Sequence, residues 1–201
     1  MSKTFKVLIA ILVGSTMLSC GLPLAVATPT VVPVPLASPT TLPTVPYSDW
    51  LTYTNQKYNF ELKYPPDGQV SDQTDSSARI YLSITPNTSL QEKYLDISVA
   101  ENINPCSSPQ AQGYAPGSIQ SSQVTISDLA FTLESGGDAG AGNIYEWTGY
   151  STAKGIACVS LTFVLHSTNP AMYDNPPAEF DSDAESAVFA GIVSTYKWLT
   201  P

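Results

Sequence analysis

The chain of 201 residues carries 17 acidic side chains against 8 basic ones, a single histidine and 43% apolar residues, for a formal charge of −9. Loss of Lys3 and Lys6 with an N-terminal leader makes that −9 − 2 = −11. So acidic a body offers no electrostatic footprint for nucleic acid and is repelled by anionic lipid head groups. One histidine cannot build a histidine-based metal site by itself.

Residues 1–19 read as a signal peptide: a short basic start, an apolar run from Val7 to Val13, and small residues ahead of Cys20. The apolar run falls short of the ~20 residues needed to cross a bilayer. Met17-Leu18-Ser19-Cys20-Gly21 resembles the lipobox of bacterial lipoproteins, which implies cleavage before Cys20 and lipidation of that residue. Residues 20–46 then form a lipid-anchored, proline-rich linker. From Gly21 to Pro46 there is no charged residue, and Pro23, Pro29, Pro33, Pro35, Pro39, Pro43 and Pro46 recur through it. Such a segment favours an extended polyproline II stalk of about 3.1 Å per residue, a reach of at most ~80 Å.

Residues 47–201 have the length of one domain with one core. Tyr58, Phe60, Leu62 and Tyr64 alternate with polar residues as in a half-buried strand, which Pro65-Pro66-Asp67-Gly68 stops. Ile80, Leu82 and Ile84, then Leu95, Ile97 and Val99, repeat the alternation. Asn102 to Ser122, with Cys106 inside it, reads as a long loop, and Gly136 to Gly142 as a flexible glycine-rich connector. Val124 to Ile126 and Leu129 to Leu133 read as strands. Ile144 to Ser151 and Ile156 to His166 make a strand pair turning at Ala153-Lys154-Gly155, with Val159, Leu161, Phe163 and Leu165 buried. That leaves Cys158, Ser160, Thr162, Val164 and His166 on the other face.

A helix is expected from Asp183 to about Ser194, with Phe180, Ala184, Ala187, Val188, Gly191 and Ile192 on its apolar stripe and Gly191 close against the sheet. Ser182 and Glu185 have capping-box spacing. A final strand follows at Thr195 to Trp198. The fold class is therefore α+β: a mostly antiparallel sheet of about six to eight strands with the C-terminal helix packed on one face.

Tyr58 to Pro66, Leu161-Thr162-Phe163-Val164-Leu165 and Phe189 to Trp198 together resemble the extracytoplasmic lipoproteins whose globular part is similar to the photosystem II extrinsic protein PsbP. That resemblance implies a sandwich of antiparallel sheet and helices and a mainly non-catalytic role. The internal helix of that family has no helical pattern to match it between Glu101 and Ser122.

Candidate chemistry is sparse. Ser151-Thr152-Ala153-Lys154 has the Ser-x-x-Lys spacing of penicillin-recognising enzymes, but it falls in a hairpin rather than at a helix start. His166 is the only histidine, and a lone ring at a strand end reads as surface or core filler rather than a general base. Asp181, Asp183 and Glu185 alternate as at the start of a calcium loop but lack its glycine and distal glutamate, and helix capping accounts for them. No cofactor and no metal is expected. Tyr81, Tyr94 and Tyr150 fall opposite the clearest apolar rows, as a second core layer or a contact surface for a protein or glycan partner.

With Cys20 lipidated, Cys106 and Cys158 are the only thiols left, and export to an oxidising compartment predicts that they form a disulfide. The sequence thus reads as a non-catalytic binding or assembly module of the cell envelope, held to the cell membrane or outer membrane through Cys20. The alternatives are a small-ligand carrier with an apolar pocket between sheet and helix, and an envelope hydrolase whose site carries no known signature.

Overall fold

The computed structural model describes residues 47–115 and 117–200. The residues expected to form the signal peptide, Cys20 and the proline-rich linker lie outside the described residues. Ten strands and one α-helix follow in order: β1 (Leu51–Asn55), β2 (Phe60–Tyr64), β3 (Gln69–Ser71), β4 (Ser77–Tyr81), β5 (Leu90–Glu101), β6 (Gln120–Ile126), β7 (Leu129–Gly140), β8 (Asn143–Lys154), β9 (Ala157–Thr168), α1 (Ser182–Ser194) and β10 (Lys197–Trp198). They form a seven-stranded sheet, ordered β3-β4-β5-β9-β8-β7-β6, and a three-stranded sheet, β1-β2-β10. Every pairing between these strands is antiparallel. The α+β class holds, with more strands than the six to eight expected.

The additional strands are the short edge elements β1 and β3, and β7 is longer than its pattern suggests. Gly136 to Gly140 is not a loop but the end of β7, paired with β8 from Gly136↔Trp147 to Gly140↔Asn143. Its glycines are there for room: a Cβ on Gly136 would stand 2.9 Å from Cζ2 of the Trp147 ring lying across it. The reversal is confined to Ala141 and Gly142, whose φ angles of +50° and +81° give the left-handed pair of a tight hairpin. The β8–β9 hairpin likewise turns later than expected, at Gly155 and Ile156.

One face of the seven-stranded sheet is the inner face. Ile80, Leu95, Ile97, Leu161 and Phe163 from it share a single buried cluster with Phe60 and Leu62 of β2 and with Phe189, Ile192, Val193 and Tyr196 from α1 and the residues after it. Rings fill this layer: Phe163 and Phe189 lie 4.3 Å apart between centroids, Phe60 and Tyr196 5.5 Å, and Phe131 and Tyr196 5.8 Å. Tyr150 belongs here too, edge-on to Phe131 and Phe163, and so is not on the opposite face with Tyr81 and Tyr94.

Helix α1 begins one residue earlier than its pattern suggests, because Asp181 is the N-cap: its carboxylate accepts from the N–H groups of Asp183 and Ala184. There is no Ser182–Glu185 capping box. Glu185 turns inward instead and pairs with Lys93 of β5, both almost wholly buried. The buried stripe is therefore Glu185, Phe189, Ile192 and Val193, while Ala184 and Ala187 face solvent. Gly191 meets not the sheet but the start of the domain. A Cβ there would come within 3.1 Å of both Trp50 and Tyr47, whose rings pack 4.5 Å apart. Lys63 Nζ donates to the Tyr47 carbonyl at 3.2 Å and holds that start in place.

Candidate functional site

The other, outer face of the seven-stranded sheet gathers the polar chemistry of the molecule. Register places side chains in rows across the strands. One row runs Tyr81, Tyr94, Val164, Trp147, Gly136; the next runs Arg79, Asp96, Thr162, Gly149, Glu134; a third runs Ser77, Ser98, Ser160, Ser151, Thr132. Residues of one parity on a strand share a face, so these groups meet because of strand pairing rather than nearness in sequence.

Some of this face is roofed. Residues 102–115 cross it, and a Cys106–Cys158 disulfide, with Cα atoms 5.3 Å apart, fastens them to β9. Ser108 is the plug. Fully buried, it donates its backbone N–H to Glu134 Oε2 at 2.7 Å and shares a 2.8 Å hydroxyl contact with Thr162. The hydroxyl network continues from Thr162 to Ser160 at 3.3 Å and from Ser160 to Ser151 at 3.1 Å. Close seating requires Gly149, where a Cβ would lie 2.8 Å from that of Ser108. Ser108 Oγ also accepts from the Gln110 N–H and caps a 3-10 turn over Pro109–Gly113. This turn is what stands where a helical layer is absent from the sequence pattern.

Beside the roof lies an open cleft of about 410 Å³, lined by Asp72, Ser77, Arg79, Asp96, Ser98, Pro109, Gln110 and Thr162 among others. Arg79 and Asp96 form its floor through a two-pronged ion pair, Nε to Oδ1 at 2.6 Å and Nη2 to Oδ2 at 2.8 Å. The guanidinium stacks 4.0 Å from the centroid of the Tyr94 ring, and Tyr81 meets Tyr94 edge-on at 5.9 Å. Hydrogen bonding to Asp96 raises the Arg79 pKa further, so this cation is permanent. Burial raises the Tyr94 phenol, against the pull of Arg79. A partly exposed ion pair of this kind contributes little to stability, ~0–1 kcal/mol. Its effect is to fix a flat, polar shelf with aromatic edges.

His166 sits one row further along the same face. Its Nδ1 lies 3.2 Å from Glu92 Oε2 and its Nε2 2.8 Å from Asn143 Oδ1, with the ring stacked on Tyr145 at 4.3 Å and 8°. Carboxylate and amide thus hold both ring nitrogens, and no serine hydroxyl is bonded to either. Ser151 and Lys154 are separated by strand parity: Ser151 is buried on the outer face against Ser160, while Lys154 lies on the inner side, over the Trp198 ring at 5.4 Å. Of the alternating acids, Asp181 caps α1 and Glu185 faces Lys93, so these two carboxylates are turned to different partners. The expected lipidation site, Cys20, lies outside the described residues. Sequence reasoning missed Glu134, Ser108 and the Arg79–Asp96 shelf. Arg79 and Asp96 do face each other in register, so knowing the β4–β5 pairing would have found them.

No protein-family model matches the chain, and no curated protein matches it. Among solved structures it is similar to a chain from Bacteroides thetaiotaomicron VPI-5482, at 14% identity and a TM-score of 0.48, over 74% of this chain and 48% of that one. The chain thus spans about half the length of that Bacteroides protein. It is also similar to the Ran-binding protein Mog1p of Saccharomyces cerevisiae, at 8% identity and a TM-score of 0.48, over 75% of this chain and 95% of that one. LpqN of Mycobacterium tuberculosis, described as involved in cell envelope biogenesis, is 11% identical with a TM-score of 0.42, over 75% of this chain and 91% of that one.

Proposed function

We propose that this protein is a non-catalytic binding or assembly module of the cell envelope, tethered by lipidated Cys20 and presenting the outer face of its seven-stranded sheet to an envelope glycan or protein. Its PsbP-like resemblance and the lipobox reading belong to this same proposal. The observation that carries it is the cleft beside the disulfide-fastened roof, where Asp72, Asp96, Gln110, Arg79 and three hydroxyl side chains mix donors with acceptors. Each hydroxyl of a sugar both donates and accepts, so an uncharged, hydroxyl-rich ligand suits such a lining better than an anion, whose natural partner Arg79 already faces Asp96.

The non-catalytic reading rests on where the reactive types go. His166, Ser151 and the buried Glu134 each bond to partners that hold them in place, and none forms a nucleophile–base pair. A carrier role is disfavoured by the ring packing that fills the space between sheet and helix. A disulfide suits an oxidising, extracytoplasmic setting. Among the described residues no helix is long and apolar enough to cross a membrane.

Saturation-transfer NMR with envelope oligosaccharides is the direct experiment. Binding that is lost in Arg79→Ala and Tyr81→Ala but kept in Lys57→Ala supports the reading; turnover of an ester, peptide or glycoside by the purified domain refutes it. Mass spectrometry of the mature N-terminus tests the tether, which fails if the first peptide begins at Gly21 or later without an acylated Cys20.

A further inference from the structure

The open strand edges among the described residues are β1, β3, β6 and β10, and β6 with seven residues is the longest of them. Open edges are ordinarily blunted by lysine, proline, a bulge or shortness, because they template pairing with another chain. Gln120-Ser121-Ser122-Gln123-Val124-Thr125-Ile126 has none of these devices, and its register against β7 runs without a break from Gln120↔Ser135 to Ile126↔Leu129. Only Val124 and Ile126 are even partly covered. No backbone hydrogen bond from another described element besides β7 reaches it.

The β6–β7 turn determines which groups face outward. Ser127 and Asp128 have φ of +49° and +65°, the positive pair of a two-residue turn, so Ile126 and Leu129 bond across it. Antiparallel alternation then directs the N–H and C=O of Ser121, Gln123 and Thr125 away from β7.

Charge selects the occupant. From Asn102 to Ser127 no residue is charged, whereas the whole of residues 47–201 carries 17 acidic against 8 − 2 = 6 basic side chains. Two copies of so acidic a body repel where their charges meet, and β6 itself brings no charged side chain to a seam. An antiparallel pair centred on Gln123 places Gln123 opposite Gln123 and Ser121 opposite Thr125. Every outward group then finds a partner, about six backbone hydrogen bonds in all, with no like charges opposed.

We propose that the protein self-associates through β6, two copies joining edge to edge about a two-fold axis at Gln123 into one continuous sheet. The seam leaves the cleft and its Arg79–Asp96 floor on the outer face of each copy.

The test is thiol crosslinking of the full chain in the membranes of cells that express it. Cys106 and Cys158 are joined to each other, and Cys20, lipidated in the proposed function on which this design rests, carries no thiol, so an added cysteine reports alone against a parent lacking it. Across the seam two Gln123 Cα atoms face each other at ~5.5 Å, whereas two Ser121 residues, or two Thr125 residues, stand four steps apart at ~14 Å. With a reagent too short for the longer span, Gln123→Cys is expected to give a dimer band several-fold above Ser121→Cys or Thr125→Cys alone. Cells making both of the latter should restore that band. Gln123→Lys, which sets two cations on the axis, should lower the mass of the detergent-solubilised protein from dimer to monomer while its melting temperature stays unchanged. Equal crosslinking at all three single positions marks random collision and overturns the proposal. So does the absence of a band at position 123, or a band containing a different protein.

Discussion

Lys93 and Glu185 are 92 positions apart, yet the fold buries them together between β5 and the first turns of α1, with side chains only 7% and 9% exposed. Their attraction offsets the cost of taking two charges out of water, so removing one partner leaves the other buried and unmatched, at a cost of ~3–5 kcal/mol. Glu185→Gln should therefore destabilise residues 47–201 by about that amount. For a domain of this size, at ~2–4 °C per kcal/mol, that lowers the melting temperature by roughly 6–20 °C. Replacing both, Lys93→Met with Glu185→Leu, removes the desolvation cost along with the attraction and should come out neutral or up to ~4 kcal/mol more stable. Guanidinium unfolding followed by circular dichroism measures the cycle of parent, Lys93→Met, Glu185→Leu and the double variant, with Glu185→Gln alongside. A Glu185→Gln cost below ~1 kcal/mol, or a double variant as unstable as the sum of the singles, refutes the account of the pair as a mutually neutralising clamp on the helix.

The remaining predictions concern the roof and the core. Cys158→Ala should cost ~4 kcal/mol through the closed loop that Cys106–Cys158 defines, their positions being 52 apart, and a thiol assay on the unfolded, unreduced domain should find neither thiol free. Gly149→Val should unseat Ser108, because its Cβ would stand 2.8 Å from that of Ser108; faster amide exchange at Ser108 with β8 and β9 still protected is the expected pattern, and unchanged exchange contradicts the close seating. Burial raises the phenol pKa values of Tyr196 and Tyr150, and the Tyr196 hydroxyl has no partner among the described residues. A pKa raised by folding gives stability that is fully present below the unfolded value near ~10 and is lost as pH climbs above it. Alkaline titration at 295 nm should thus show these two phenols ionising only with unfolding, and ionisation near pH ~10 in a still folded domain contradicts it.

What was legible in the sequence was one-sided burial. Phe60, Leu62, Leu95, Ile97, Leu161 and Phe163 alternate with polar neighbours because one face of each strand meets the core, and alternation survives in the chain itself. β9 hides more than its pattern shows. Ser160 and Thr162 read as solvent-facing, yet they are buried, since the segment bearing Ser108 crosses them. Glu134 and Glu185 were illegible for the same reason: the groups that justify burying them, Ser108 and Lys93, are 26 and 92 positions away. Gly136 and Gly137 look like loop residues until the Trp147 ring above Gly136 gives the lack of a side chain a purpose. The cleft draws its walls from β3–β4, β5, β9 and the 3-10 turn, and no window along the chain holds enough of it to be recognised.

The seating of Tyr47 and Trp50 on Gly191 decides how the domain bears mechanical load. A pull through the residues before Tyr47 falls first on that aromatic clasp and on the Lys63 bond to the Tyr47 carbonyl, so tension is passed to α1 and, through Lys63, to β2 before it reaches the pairing of β1. Once the clasp lets go, β1 lies at a sheet edge against β2 alone, and its five register pairs can separate in succession, like a zipper. β9, paired on both sides in the middle of its sheet and stitched to Cys106, is far from that point of attack. Under such a pull the protein would give up its first strand and keep the outer face intact.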